Sequence, residues 1–183
     1  HFAGINRGDE DQIEAGNPAI AEQLVAACQA AGSKPHVVYA NSIHRDRDTA
    51  YGRSKTRASE VLSAFAGERY TELVLPHIFG ECARAHYNNV TATLIDQLLE
   101  GVEPTLRPTG EVCLLHAGAA AQLAISAVRN GEFGTIVPSG RAMKVAELYD
   151  MLAQMHASYQ ANTFPDLGDP FSLALFNAKI YTG

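Results

Sequence analysis

Short runs of β-branched and apolar residues alternate along this chain with longer stretches of helical periodicity. That alternation restricts the fold more than any other feature of the sequence. A first amphipathic helix is expected from Asp9 through Ile13, Ile20, Leu24, Val25 and Cys28 to Gly32, with Pro35 just beyond it. Pro35-His-Val-Val-Tyr-Ala-Asn-Ser42 then has the composition of a strand buried in a parallel sheet. Helical spacing returns over 51 to 66 through Ala58, Val61, Leu62 and Phe65 and closes at Gly67, and Thr71-Glu-Leu-Val-Leu75 reads as a strand stopped by Pro76. The same reading predicts helices near 89–100, 118–129, 144–157 and 171–181, with strands near 112–115 and 134–137. The fold class that follows is α/β, a parallel sheet with helices on both faces. Ligands of such sheets sit beyond the carboxyl ends of the strands, here Gly4 to Arg7, Asn41 to Ser42 and Pro76 to Gly80.

Size and charge remove several alternatives. A chain of 183 residues, 46% of them apolar, builds one sizeable core. With 20 acidic against 14 basic side chains it lacks the basic footprint that phosphate backbones require, so nucleic acid is not expected as a partner. No apolar run approaches the roughly 20 residues that span a bilayer, and there is no charged-then-apolar leader, so no membrane partner is expected and the chain reads as cytoplasmic. Cys28, Cys82 and Cys113 are odd in number and far apart, which suits neither disulfides nor zinc, and all three are expected to be buried. Seven scattered His residues give no metal-ligand spacing.

The residues that point to chemistry lie in Tyr51-Gly-Arg-Ser-Lys55, at the start of a predicted helix. A Tyr and a Lys four positions apart share one helix face, and a nearby ammonium would lower the phenol pKa toward the range of a general acid or base. Ser42, at the end of the strand just upstream, would bring a hydroxyl to the same edge of the sheet. A Tyr-x-x-x-Lys arises by chance in about one chain in seven of this composition, so the flanking segments carry the argument.

Those segments resemble the extended short-chain dehydrogenases/reductases, the NAD-dependent epimerase/dehydratase family that modifies nucleotide sugars. His1-Phe-Ala-Gly4 is similar to the HLAG segment of their fourth strand, Tyr39-Ala-Asn-Ser42 to their serine strand, and Tyr51-Gly-Arg-Ser-Lys55 to their YxxxK helix. Leu75-Pro-His-Ile-Phe-Gly80 resembles the RxxNxFG segment beside the nicotinamide. The stretch from Ile136 to Leu148 resembles a strand, turn and helix of the substrate-binding part. Five motifs stand in the family's order over about 150 residues. Finer details, including Tyr87-Asn-Asn-Val90, resemble the capsular-polysaccharide UDP-sugar reductases of the CapF and WbjC type.

The resemblance implies a Rossmann-like sheet with a small C-terminal substrate-binding part, divided as 1–80 and 81–183. It implies hydride transfer from NADPH or NADH to a 4-keto-6-deoxy nucleotide sugar. By the same resemblance Tyr51 donates the proton, Lys55 holds the nicotinamide ribose and Ser42 hydrogen-bonds the substrate oxygen. Ala3, Gly4, Pro76, His77 and Ile78 border the cofactor, and Asn88 and Arg107 meet the substrate diphosphate. A homodimer through the Tyr-x-x-x-Lys helix and its predecessor is the expected assembly. Several residues have plainer readings too: Asn88 suits a helix N-cap, Arg107 a surface charge, and the loop His44 to Asp48 a solvated turn. The sequence has no Gly-x-Gly-x-x-Gly, and His1 reads as the interior of a strand. The chain is therefore expected to be about two-thirds of a reductase domain and to bind the dinucleotide weakly or not at all alone. Ser42-Ile-His44 lacks the acid pair of a dehydratase, which favours reduction or 4-epimerisation. The rival from another class is a relative that no longer binds the dinucleotide and serves as a partner surface. A serine hydrolase is disfavoured because no Gly-x-Ser-x-Gly elbow is present.

Overall fold

A computed structural model describes residues 1–181. The elements in chain order are α1 (Glu10–Ala30), β1 (Val37–Ser42), α2 (Ala50–Ala66), β2 (Tyr70–Leu75), β3 (His77–Phe79), α3 (Val90–Glu100), β4 (Glu111–His116), α4 (Ala117–Asn130), β5 (Gly134–Ile136), β6 (Arg141–Lys144), α5 (Val145–Gln160) and α6 (Pro170–Ile180). They fall into two compact units, His1–Leu75 with Ala121–Pro138, and Pro76–Ala120 with Ser139–Gly183; 182 and 183, the last positions of the second, lie outside the described residues.

The first unit is built on a parallel sheet in the order β1-β2-β5. β1 and β2 run in register from Val37 opposite Tyr70 to Ser42 opposite Leu75, so both strands end at one edge. His1 continues the sheet on the other side of β1: its backbone N donates to the Val38 carbonyl (2.7 Å) and its carbonyl accepts from Ala40 N (3.0 Å). The strand expected at His1-Phe-Ala-Gly4 is reduced to this one pairing. Helices α1 and α2 join the sheet through Ala21, Tyr39, Ala58, Leu62 and Ala66, all buried. Each helix opens on a capped N-terminus, where Asp9 accepts from Gln12 N (2.8 Å) and Thr49 from Gly52 N (3.0 Å).

The second unit holds a separate mixed sheet, β3-β4-β6, in which β3 is parallel and β6 antiparallel to β4. Parallel strands are thus not the whole story, and two of these three were not expected. Pro76 explains the break between β2 and β3, because it has no N–H to continue a ladder. Helices α3, α5 and α6 pack with this sheet around Phe79, Ile95, Leu114, Leu148, Leu152 and Leu175. Asn89, not Asn88, caps α3, accepting from Ala92 N at 3.0 Å. The cysteines depart from expectation: Cys28 and Cys113 are half-buried, and Cys82 is exposed in a left-handed turn (φ 58°). Among the described residues no helix is long and apolar enough to cross a membrane, and no metal-binding cluster is present.

Candidate active site

Ser42 is the last residue of β1 and Tyr51 the second residue of α2, so one seven-residue connection sets their separation. That loop is tightly folded: Arg45 N donates to the Ser42 carbonyl (3.0 Å), Arg47 N to His44 O (3.1 Å) and Thr49 N to Arg47 O (2.8 Å). Gly52 lets the first turn of α2 nest on it, since a Cβ there would lie 2.1 Å from the Arg47 carbonyl oxygen and 2.8 Å from that of His44. Ser42 Oγ accepts the His44 N–H at 3.2 Å. Its own proton is thereby available for the hydrogen bond it makes to the Tyr51 phenol. Both side chains are half-buried.

The electrostatics differ from what Tyr-Lys spacing suggests. Burial pushes the Tyr51 phenol above its ordinary value, and only the Ser42 hydrogen bond works in the other direction. Lys55 does not depress it, because its ammonium is committed elsewhere. Nζ donates to the Ala40 carbonyl at 2.7 Å and stands over the Tyr39 ring, 4.1 Å from the centroid. Lys55 is 5% exposed, and this burial lowers its pKa to about 8, against the pull of the Glu72 carboxylate. At neutral pH the pair therefore presents a protonated phenol beside a buried cation.

Behind these residues lie groups that the sequence did not single out. Asn17 of α1 accepts from Ile5 N (2.8 Å) and donates to Ile5 O (2.9 Å) and Ser54 Oγ (2.8 Å), and Ser54 Oγ donates to the Tyr51 carbonyl (2.8 Å). Exposed Gly4 makes room for that contact, since a Cβ would sit 2.9 Å from Asn17 Oδ1. Glu72, in the middle of β2, accepts from Asn41 Nδ2 (2.6 Å), Ser59 Oγ (2.6 Å) and the Arg45 guanidinium. Burial alone would raise its pKa, but these donors and the Arg45 charge hold the carboxyl below the ordinary range. Arg45 is consequently an anchored residue, not part of a solvated turn. A charged residue inside an apolar parallel strand was the available signal, because such a group is buried only with partners.

Comparison with known proteins shows the fold. No protein-family model matches the chain. Over 189 residues it is 25% identical to the UDP-2-acetamido-2,6-beta-L-arabino-hexul-4-ose reductase of Pseudomonas aeruginosa, covering 98% of this chain and 50% of that protein. The capsular polysaccharide assembling protein CapF of Staphylococcus aureus superposes with a TM-score of 0.77 at 20% identity, over 88% of this chain and 47% of CapF. The UDP-glucuronic acid 4-epimerase of Bacillus cereus, solved with NAD, gives 0.79 at 13% identity, over 98% and 72%. The chain therefore shares the fold of these nucleotide-sugar enzymes over most of its length. It spans about half the length of the first two relatives.

The chain brings Ser42, Tyr51 and Lys55 together in its first unit, with Ala3 and Gly4 exposed on the segment that Asn17 fastens. In the second unit Pro76 is buried, and His77 and Ile78 form β3 opposite Leu114 and Leu115. The Ile78 carbonyl accepts from Asn89 Nδ2 at 3.2 Å, which ties β3 to the start of α3. Asn88 is exposed with φ 54°, and Arg107 is exposed on the turn whose carbonyl accepts Gly110 N (3.0 Å). The donor set of the first unit fits the ribose end of a nicotinamide nucleotide. Lys55 spends one N–H on Ala40 and keeps two, as a vicinal diol requires, and the hydroxyl pair stands ready for a carbonyl oxygen.

Proposed function

We propose that this chain carries the proton-transfer site of an NAD(P)-dependent reductase for a 4-keto-6-deoxy nucleotide sugar of surface-polysaccharide synthesis. The observation that supports it most is the protonated Tyr51 phenol, hydrogen-bonded by Ser42 at the carboxyl edge of the sheet. A phenol held above its ordinary value keeps its proton at neutral pH, and reduction of a ketone needs a donor at the carbonyl oxygen. The P. aeruginosa relative is by name a reductase of a hexul-4-ose, and CapF is by name a capsular polysaccharide protein, which is why a ketone and that pathway class are proposed.

In this reading Ser42 turns its hydroxyl proton from the Tyr51 oxygen to the ketone oxygen, and Tyr51 delivers its own proton there. Lys55 holds the nicotinamide ribose. The dinucleotide, when bound, supplies the hydride. Ala3, Gly4, Pro76, His77 and Ile78 would border that cofactor, and Asn88 and Arg107 would meet the diphosphate. The reading also includes a homodimer through α1 and α2.

The test uses the protein from its complete reading frame, NADPH and a UDP-4-keto-6-deoxyhexosamine. Consumption of NADPH with gain of two hydrogens by the sugar is expected. Conversion of a UDP-hexose into its C4 epimer without net NADPH loss would replace reduction by epimerisation. Absence of any NADPH binding would leave the partner-surface alternative standing.

A further inference from the structure

We infer that Glu72 is a positioning residue for the Ser42–Tyr51 pair, acting through Asn41. The inference rests on the reductase reading for its catalytic meaning, though not for its geometry. Glu72 lies in β2 between Thr71 and Leu73, 6% exposed, where an apolar side chain would be ordinary. An ion pair in such a place adds little stability over well-packed apolar residues, so fold alone gives weak grounds for a carboxylate.

What the carboxylate does locally is fix an amide. An ionised carboxylate only accepts, so Asn41 must turn its Nδ2 toward Glu72, at 2.6 Å. Its Oδ1 is then aimed at the Ser42 N–H, which it accepts at 2.9 Å. Arg45, three residues beyond Ser42, donates to the same carboxylate through its guanidinium and to the Ser42 carbonyl through its backbone. Ser42 is therefore bracketed by two residues that share one anchor. The helix carrying Tyr51 is held by that anchor as well, through Ser59 Oγ to Glu72 (2.6 Å) and Thr56 Oγ1 to the Arg45 carbonyl (3.0 Å). One buried carboxylate thus joins the strand end, the connection and the helix whose relative placement sets the hydroxyl pair.

The experiment is a double-mutant cycle read on Tyr51 itself. The full chain is labelled with ring-13C tyrosine, the Tyr51 resonance is assigned by its loss in Tyr51→Phe, and Glu72→Gln, Ser42→Ala and the double variant are compared. Each single variant is expected to shift the resonance, and Glu72→Gln to shift it by less than half as much once Ser42→Ala is present. The same cycle in turnover is expected to show Glu72→Gln lowering kcat about tenfold with KM unchanged, and by a clearly smaller factor in the Ser42→Ala background. Should Glu72→Gln not fold, Asn41→Ala breaks the same relay and must give the same result. A Tyr51 resonance that stays in place, or equal shifts with and without Ser42, would overturn the inference. A wild type that binds no NADPH would sink the reductase reading alone, because the resonance cycle needs no substrate.

Discussion

The two units bury different things. In the first, buried polar side chains (Asn17, Asn41, Ser54, Lys55, Thr71 and Glu72) lie alongside a modest apolar cluster. In the second, Phe79, Leu94, Ile95, Val112, Leu114, Leu148, Leu152, Met155, Leu175 and Phe176 form an extensive apolar core, with Thr91, Ser172 and Lys179 its buried polar residues among those described, while the His86–Asp96 and His116–Glu81 contacts and the Arg141–Asp169 ion pair stand near the surface. Burying polar groups costs free energy unless each finds a partner, and the reward is a unique arrangement more than added stability. The first unit is therefore organised to hold a few atoms in fixed places, and the second to be stable.

Two substitutions should separate these roles, and the largest effect belongs to the first unit. Tyr51→Phe removes the proton to be transferred but leaves packing nearly intact. Reductase turnover should fall by about 10²- to 10⁴-fold while the urea midpoint stays close to that of the wild type. A variant with more than a tenth of wild-type activity would remove Tyr51 from the chemistry. Leu152→Ala in the second unit should do the reverse. Leu152 is fully buried among Leu148, Ile95 and Leu175, and its truncation should cost about 2–5 kcal/mol in chemical denaturation. A loss below about 1 kcal/mol would mean that this core is loosely packed and the contrast overstated.

Much of this organisation can be read in the sequence, for definite physical reasons. Helical periodicity and capping residues announce α1, α2, α3 and α5 within a few positions, and the β-branched runs announce β1 and β2. β3 and β6 escape such a reading. His77-Ile-Phe79 is three residues long, and Arg141-Ala-Met-Lys144 has neither β-branched residues nor apolar alternation, so both owe their state to pairing with β4. Ser42, Tyr51 and Lys55 are legible as a constellation because a strand end and the first turn of the next helix are close in sequence. Their electrostatics are not, because the Lys55 ammonium is taken by the Ala40 carbonyl, a contact between residues fifteen apart in sequence. Arg45 and Asn17 are unreadable for the same reason, since each acquires its role from a partner in another element, whereas Glu72 shows in the sequence only as a charge inside an apolar strand.

Lys55 sharpens the comparison by its cost. Its folded-state pKa of about 8 lies below the ordinary 10.5, so the folded protein holds that proton less tightly than the unfolded chain. The penalty, on the order of 3 kcal/mol, is full below about pH 8 and fades as pH rises toward 10.5. Lys55→Met removes that penalty together with the Ala40 hydrogen bond. The variant should equal or exceed wild-type stability at neutral pH and lose ground to it between pH 8 and 10.5. Denaturation at several pH values checks this. A difference that does not change with pH would show that the amine is not buried as a cation and that the first unit stores no such strain.

The smallest effect is expected from a carboxylate of the second unit. Glu81 is the surface counterpart of Glu72: its side chain is 36% exposed and accepts from His116 Nε2 at 3.0 Å. His116 Nδ1 accepts the Gly118 N–H (3.2 Å), so Nε2 carries the hydrogen whether or not the ring is charged. The carboxyl is held below its ordinary value, first by its own backbone N–H and then by His116. Any stability it contributes is present above the ordinary value of 4.5 and is lost as pH falls through the lower folded-state value. Water screens a pair this exposed, and a neutral amide can still accept the imidazole N–H. Glu81→Gln should therefore cost less than about 1 kcal/mol at neutral pH, and the difference from wild type should vanish in acid. The same exchange at Glu72, where one acceptor must serve three donors away from water, should cost more than twice as much at neutral pH. If thermal denaturation finds Glu81→Gln as damaging as Glu72→Gln, burial does not distinguish the two carboxylates, and the separation of a polar, positioning unit from an apolar, stabilising one fails at the level of single residues.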